Sequence, residues 1–537
     1  MFDILIRNAQ IADGTGNPMY SGSIGISNEK ILYIGPDANY DAHTIIEAAG
    51  QLVASPGFID THCHEDFYLF HDSTVFPKLQ QGVTSIINGN CGCSAAPVRK
   101  TTFSMLKTYF NSSLHGISMP ADWDSYCDFR DYMNAVDALD PGINTGFMVG
   151  HGTIRIAAMG FENRHADKIE MAAMMKMIAE AMESGALGLT SGLFYAPGVF
   201  ASKDELLELC SIVSYFNGVY ATHMRDEGKY LLESVRESID IAKKTGVRLL
   251  ISHLKVSGFK NRPLLEPVLA LIEEAKAEGV EIAMDQYPYN SGSTGLDALL
   301  PPEYLDGGIN EMMLKIANIK DRNKIKSKIL DQDSDWENII LDSGFNKIVI
   351  LSAENSEGAS GNTIQDYADS IGMDPMDAFF SILIKSGGHA RCAMYYSENE
   401  CVEKIFRHPL TMIGSDSDFL GEPLLVHPRG FGAYPKILGE YVRQKKILPL
   451  EQAIRKMTGM PADFFNIARK GYLKTGYDSD LVLFDPDSIT DTATFLNPWN
   501  PCQGIKSVIV NGHIAINDSK LQDMKSGQII KGAARTF

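Results

Sequence analysis

The chain is 537 residues long, 45% hydrophobic and 21% charged, an ordinary globular composition with room for two or three domains. A formal net charge of −19 and a pI near 5.1 argue against nucleic acid and anionic membrane as partners. The start, Met1-Phe2-Asp3-Ile4-Leu5-Ile6-Arg7, lacks the features of a secretory signal, and no stretch reaches transmembrane length; eight scattered cysteines suit a reducing cytoplasm.

Residues 1–56 alternate apolar and polar in short runs broken by Asp13-Gly14, Asn28 and Gly35-Pro36, which predicts a small antiparallel sheet. Residues 472–537 read alike, with Asn511-Gly512 as a hairpin turn between apolar runs. The two ends are therefore expected to form one small β-sandwich domain flanking a middle, 57–471, of a different kind. In that middle, Gly82, Gly185, Gly218, Gly246 and Gly279 each close an expected helix and open a short apolar run. Ser202 and Glu205 read as a capping box for a helix with Leu206, Leu209, Cys210 and Val213 on one face. Leu232, Val235, Ile239 and Ala242 repeat that period before Gly246. Eight strands are expected, near 57–61, 84–88, 145–150, 186–190, 219–223, 248–253, 281–287 and 410–416. Strand and helix alternating this way predict an α/β fold, a (β/α)8 TIM-like barrel. Residues 94–142 form a long excursion, and 290–347 read as an insertion within the barrel.

Chemistry-bearing residues gather at the C-terminal ends of these strands, which converge on one mouth in such a barrel. The first strand supplies His62 and His64, the second Asn90-Cys91-Gly92, and the third His151. The fifth ends in His223, the sixth in His253 and the eighth in Asp416. His, Cys and Asp are zinc-preferring ligands, and separate strands leave a coordination position open for water. Asp416 is placed to take the proton from such a water. His151 reads equally as functional or as a hydrogen-bonded strand-end residue, and Cys93, Cys127 and Cys210 read as small hydrophobes. Lys255 and Arg225 each follow a histidine by two residues, so each shares its inward face if the strand continues. Tyr289 reads as a core aromatic.

These residues resemble the amidohydrolase superfamily and, within it, the D-aminoacylase (N-acyl-D-amino-acid deacylase) family. The likeness runs nearly end to end, through Gly57-Phe58-Ile59-Asp60-Thr61-His62-Cys63-His64, Gly89-Asn90-Cys91-Gly92, Gly150-His151-Gly152-Thr153, Ser191-Gly192-Leu193-Phe194-Tyr195, Thr222-His223-Met224-Arg225-Asp226-Glu227, Ser252-His253-Leu254-Lys255, Tyr287-Pro288-Tyr289, Gly414-Ser415-Asp416 and His427-Pro428-Arg429. Cys63 departs from the commoner Thr, and Tyr477-Asp478-Ser479-Asp480 from a more usual Ala-Asp pair. The resemblance implies a zinc ion held tightly by Cys91, His223 and His253, with a second, weaker divalent site around His62, His64 and Asp416. It implies Asp416 as catalytic acid/base, and Lys255, Tyr195 and Tyr287 as handlers of the substrate carboxylate. The implied activity is hydrolysis of the amide of small-molecule N-acyl-D-amino acids. A cyclic-amide hydrolase, of the hydantoinase or dihydroorotase kind, is the alternative. Those relatives use a carboxylated lysine on the fourth strand, and Leu187-Gly188-Leu189-Thr190-Ser191 contains none. A silent scaffold should have lost a ligand, and none is missing. Finally, the loop 288–302 has no lysine or arginine, and Leu296, Leu299 and Leu300 predict a preference for neutral side chains, unless a basic residue of another loop, such as Arg429 or Arg391, enters the pocket.

Overall fold

The eight expected strands are present, and almost every residue in them is buried. They are β1 (Phe58–Asp60), β2 (Val83–Asn88), β3 (Asn144–Phe147, prolonged by Val149–Gly150), β4 (Gly188–Gly192), β5 (Val219–His223), β6 (Arg248–Ile251), β7 (Ile282–Gln286) and β8 (Thr411–Ile413). The computed structural model describes residues 1–36, 40–113, 119–419, 425–523 and 525–532. Each strand pairs in parallel with the next, from β1 through β8. The ring closes where β8 meets β1: the Thr61 amide donates to Ile413 O (3.4 Å), that of Asp416 to His62 O (2.8 Å) and that of His64 to Ser417 O (2.9 Å). This is the (β/α)8 barrel that the alternating pattern predicts, and parallel strands covered on both faces explain its near-continuous apolar runs. Ile59, Ile87, Met148, Ala221, Leu250, Ala283 and Met412 form one buried cluster, a residue from nearly every strand.

The connecting helices carry their expected signals with two adjustments. Lys203–Tyr215 starts at Ser202, whose hydroxyl accepts from the Glu205 amide (3.2 Å), but the Glu205 carboxylate does not return to the cap. It pairs instead with His151 and Arg155, because a buried guanidinium needs a charge more than an exposed amide needs a cap. Leu231–Thr245 buries Leu231, Val235, Ile239 and Ala242, so Leu231 takes the place expected of Leu232. Gly185 and Gly246 close their helices at φ of 112° and 71°, a left-handed turn that a Cβ would strain.

Between β7 and β8 the chain leaves the barrel for longer than 290–347. A three-stranded antiparallel sheet there takes Arg391–Tyr395 as its middle strand, between Ser291–Gly295 and Ile348–Ser352. The excursion therefore extends past residue 390, and its sheet edge overhangs the barrel mouth. Strands from both chain ends meet in one continuous nine-stranded sheet rather than in two separately bonded ones. Its long strand, Phe2–Ile11, shares one edge between Ala42–Glu47 and Val53–Pro56. Ile4, Ile6, Ile24, Ile26, Leu481 and Ile509 pack under it. The C-terminal Ile529–Ile530 pairs with Thr145–Gly146 of β3, which ties the tail to the barrel. Among the described residues, no helix is long and apolar enough to cross a membrane.

Candidate metal centre and its cavity

Six expected ligands arrive at one point of the barrel mouth by two routes. His223 ends β5 and lies two residues beyond Ala221, which packs in the barrel interior, so simple alternation turns it inward. His253 does not follow alternation. Leu250 is interior, so a straight strand would carry Ser252 inward and His253 outward. A φ of 35° at His253 breaks the strand and turns the side chain back. Cys91 (φ 51°) and Asp416 (φ 52°) are also left-handed. Such conformations cost about 1–3 kcal/mol each in non-glycine residues, and three at one centre mark it as built for position rather than stability.

The Cys91 thiol is the hub. Its Sγ lies 3.3 Å from His62 Nε2, 3.4 Å from His253 Nε2 and 3.8 Å from His223 Nδ1. Asp416 Oδ1 faces His64 Nε2 at 3.2 Å and His62 Nε2 at 3.4 Å, while its Oδ2 forms an ion pair with Arg429 Nη1 at 2.7 Å. His62, Cys91, His253 and Asp416 each offer a donor atom, and these atoms all lie within 4.8 Å of one another. Tetrahedral zinc with metal–sulfur bonds near 2.3 Å and metal–nitrogen bonds near 2.0 Å holds its ligand atoms about 3.3–3.7 Å apart. The separations of 3.3 and 3.4 Å from Cys91 to His62 and His253 fall in that range and the 3.8 Å to His223 lies just above it, so the residues present fit a zinc ion. By distance His62, at 3.3 Å, is nearer to Cys91 than His223, at 3.8 Å, so the two expected subsites share one cluster.

Electrostatics agree with a cation site. Burial holds the His223 and His253 imidazoles well below the usual histidine pKa, so both are neutral and able to ligate. Burial, with Asp416 adding to it, pushes the Cys91 thiol well above its ordinary value, and a divalent cation reverses that preference by stabilising the thiolate. Burial also opposes ionisation of Asp416. The charge of Arg429, with His62 and His64, outweighs it and holds the carboxylate well below the ordinary range.

The cavity over this cluster is lined by Cys91, Tyr195, Lys255, Tyr287, Arg391 and Arg429 among others. Lys255 reaches the site although β6 has already ended: its Nζ donates to Glu227 Oε2 at 2.5 Å and lies 2.8 Å from His253 Nδ1. The Tyr195 ring stands edge-on to His223 at 5.0 Å, and its hydroxyl accepts from Thr294 Oγ1 at 3.2 Å. Tyr287 lies beneath the Arg429 guanidinium, 4.8 Å from ring centre.

Three expectations change and one open reading is decided. Arg225 is not at the site: its guanidinium pairs with Glu237 (3.1 Å) and donates to Val199 O and Ala201 O, because the strand stops at His223 and alternation stops with it. His151 has the structural role, its Nε2 2.8 Å from Glu205 Oε1. Leu296, Leu299 and Leu300 are buried in the core rather than in the cavity wall, where Asp297, Ala298 and Arg391 stand instead. The short 3₁₀ turn Leu296–Leu299 rotates these leucines inward, and the apolar part of the cavity wall comes instead from Phe161, Leu305, Ile309, Met312 and Met394. Cys93 lines the cavity and Cys127 is exposed, so neither is a buried hydrophobe. The sequence reading gave no role to Glu227 or Glu337 and left open whether Arg391 or Arg429 enters the pocket; both line it. Glu227 sits four residues past His223 and Arg429 two past His427, but nothing local says that they face the mouth.

The amidohydrolase family model matches residues 341–516. The D-aminoacylase of Alcaligenes xylosoxydans xylosoxydans is 34% identical over 99% of this chain and 98% of its own. The N-acyl-D-aspartate deacylase of the same organism is 32% identical over 98% of this chain and 95% of its own. Among solved structures, the N-acyl-D-glutamate deacylase of Bordetella bronchiseptica, complexed with zinc and a phosphonate mimic of the tetrahedral intermediate, superposes with a TM-score of 0.82. It is 29% identical, with 99% of each chain covered.

Proposed function

The chain belongs to the D-aminoacylase family of amidohydrolases, and from that premise we infer that it hydrolyses the amide bond of N-acyl-D-amino acids to a carboxylate and a free D-amino acid. The observation that carries this reading is the meeting of Cys91, His223 and His253 with Asp416 standing across from them. Cys91, His223 and His253 would hold a zinc ion. The chemistry such an ion supplies is polarisation of the acyl carbonyl and acidification of a water molecule. Asp416 takes the proton from the attacking water and returns it to the leaving amine. Arg429 anchors Oδ2 of that carboxylate, which leaves Oδ1 directed at the cluster. Lys255 and Tyr287 receive the substrate carboxylate, and Tyr195 closes the cavity beside His223. A fixed carboxylate and a fixed carbonyl leave only one enantiomer able to place its side chain in the remaining space, which is the physical basis of D-selectivity. His62, His64 and Asp416 would bring only nitrogen and carboxylate donors of their own to a second divalent ion, so it would be held more weakly on that side of the shared cluster. Eight unpaired cysteines suit a reducing compartment, so we place the protein in the cytoplasm.

The test is release of free amine from paired N-acetyl-D- and N-acetyl-L-amino acids by zinc-loaded protein. Turnover confined to the D series is the expected result. Equal rates on both series, or turnover of cyclic amides alone, refute the reading.

A further inference from the structure

Each of the two imidazoles assigned to zinc has a second nitrogen, and both of these face one carboxylate. His223 turns Nδ1 to Cys91 and Nε2 to Glu227 Oε2, 3.3 Å away. His253 turns Nε2 to Cys91 and Nδ1 to Glu227 Oε1, also 3.3 Å away. A neutral imidazole that offers a lone pair from one nitrogen carries its proton on the other, and that N–H needs an acceptor. Glu227 supplies one oxygen to each ring. We propose that Glu227 is the positioning carboxylate of the metal centre, setting tautomer and ring orientation of His223 and His253 together. This rests on the zinc assignment made above.

The carboxylate is itself held firmly. Glu227 is 2% exposed, its amide donates to Glu337 Oε2 at 2.8 Å, and its carbonyl accepts from the Ser257 amide at 2.7 Å. Glu337 belongs to the excursion between β7 and β8, so that segment reaches the metal centre through Glu227. Lys255 shares Glu227 Oε2. Where His253 Nδ1 carries the proton, the Lys255 ammonium cannot donate to it, and Glu227 Oε1 is the acceptor left. The same observations admit one rival: His223, Glu227 and His253 lie close enough to ligate an ion directly.

The experiment measures zinc stoichiometry and zinc affinity by chelator competition, with thermal melts, on the full-length wild type, Glu227→Gln, Glu227→Ala, Glu337→Gln and Cys91→Ala. Expected for Glu227→Gln is unchanged stoichiometry with affinity about 10–100-fold weaker. Glu227→Ala should lose more, and Glu337→Gln less, in the same direction. If Glu227→Gln does not fold, Glu227→Asp, which withdraws the carboxylate by one methylene, must show the weakening instead. Unchanged affinity in the folded Glu227 variants overturns the proposal. Loss of a whole zinc equivalent also overturns it, because Glu227 is then a ligand. Failure of the zinc assignment itself looks different: Cys91→Ala then retains the wild-type zinc.

Discussion

At the scale of single residues, the function proposed above divides the work of the centre between Cys91, for binding, and Asp416, for proton transfer. A thiolate is the strongest zinc donor in the cluster, so Cys91→Ala is expected to lose both the tight zinc and activity, as elemental analysis and amine release would report together. Retention of full zinc by that variant would remove Cys91 from the centre. Asp416→Asn keeps Cys91, His223 and His253 and should keep their zinc. Its amide cannot accept a proton from water, so turnover should fall on the order of a hundredfold or more. The left-handed backbone at both residues means that substitution changes the side chain on an already strained turn. Melts of each variant separate that effect from the chemistry.

Elements place these residues, and the helix Lys203–Tyr215 shows how much a single contact between elements carries. Glu205, in its first turn, accepts from Arg155 and meets His151 at the end of β3, with all three buried. Desolvation opposes ionisation of Glu205, yet the hydrogen bond with His151 and the charge of Arg155 hold its pKa down at about 2. A carboxylate with a depressed folded pKa adds stability above its unfolded value near 4.5, lost as pH falls toward 2. The contribution is on the order of 3 kcal/mol. Glu205→Gln should therefore melt well below wild type at pH 7, and the gap should narrow between pH 4.5 and 3. A gap independent of pH would show that packing, not charge, is what the substitution removes.

For the whole molecule the decisive seam is the closure of the barrel between its first and last strands, because His62, His64 and Asp416 sit on opposite sides of it. Lys78, fully buried, bridges that seam: it pairs with Asp60 at the end of β1 and donates to Ser415 and Ser417 beyond β8, each at 2.6 Å. Asp60 in turn accepts from the amides of His62 (3.2 Å) and Ser415 (2.9 Å). Lys78→Met would leave the Asp60 charge buried without its partner, at a cost of about 3–5 kcal/mol. Denaturant midpoints check this, and Asp60→Asn added to Lys78→Met should recover part of the loss. Full additivity of the two changes would mean that the pair is not coupled.

The sequence by itself determined the barrel and its eight strands and marked the candidate ligand residues at the strand ends, because these are written locally. Apolar runs, helix stops and ligand residues at strand ends follow from periodicities of two and 3.6 and from short-range backbone chemistry. Alternation was enough for His223. It failed for Arg225 the moment the strand stopped, and only the left-handed turn at His253 shows why that side chain points inward. What Glu227 and Glu337 do, and whether Arg391 and Arg429 reach the cavity, could not be read for a different reason. Their roles depend on which distant segments share the barrel mouth: Arg391 comes from a strand more than a hundred residues past β6, and Glu337 from the excursion. The leucines of the loop after β7 face the core and not the substrate because a single 3₁₀ turn rotates them, and no composition reveals a rotation. What surrounds a charge or a side chain is set by long-range packing, so the tertiary structure alone decided which groups ionise, which pair and which line the cavity.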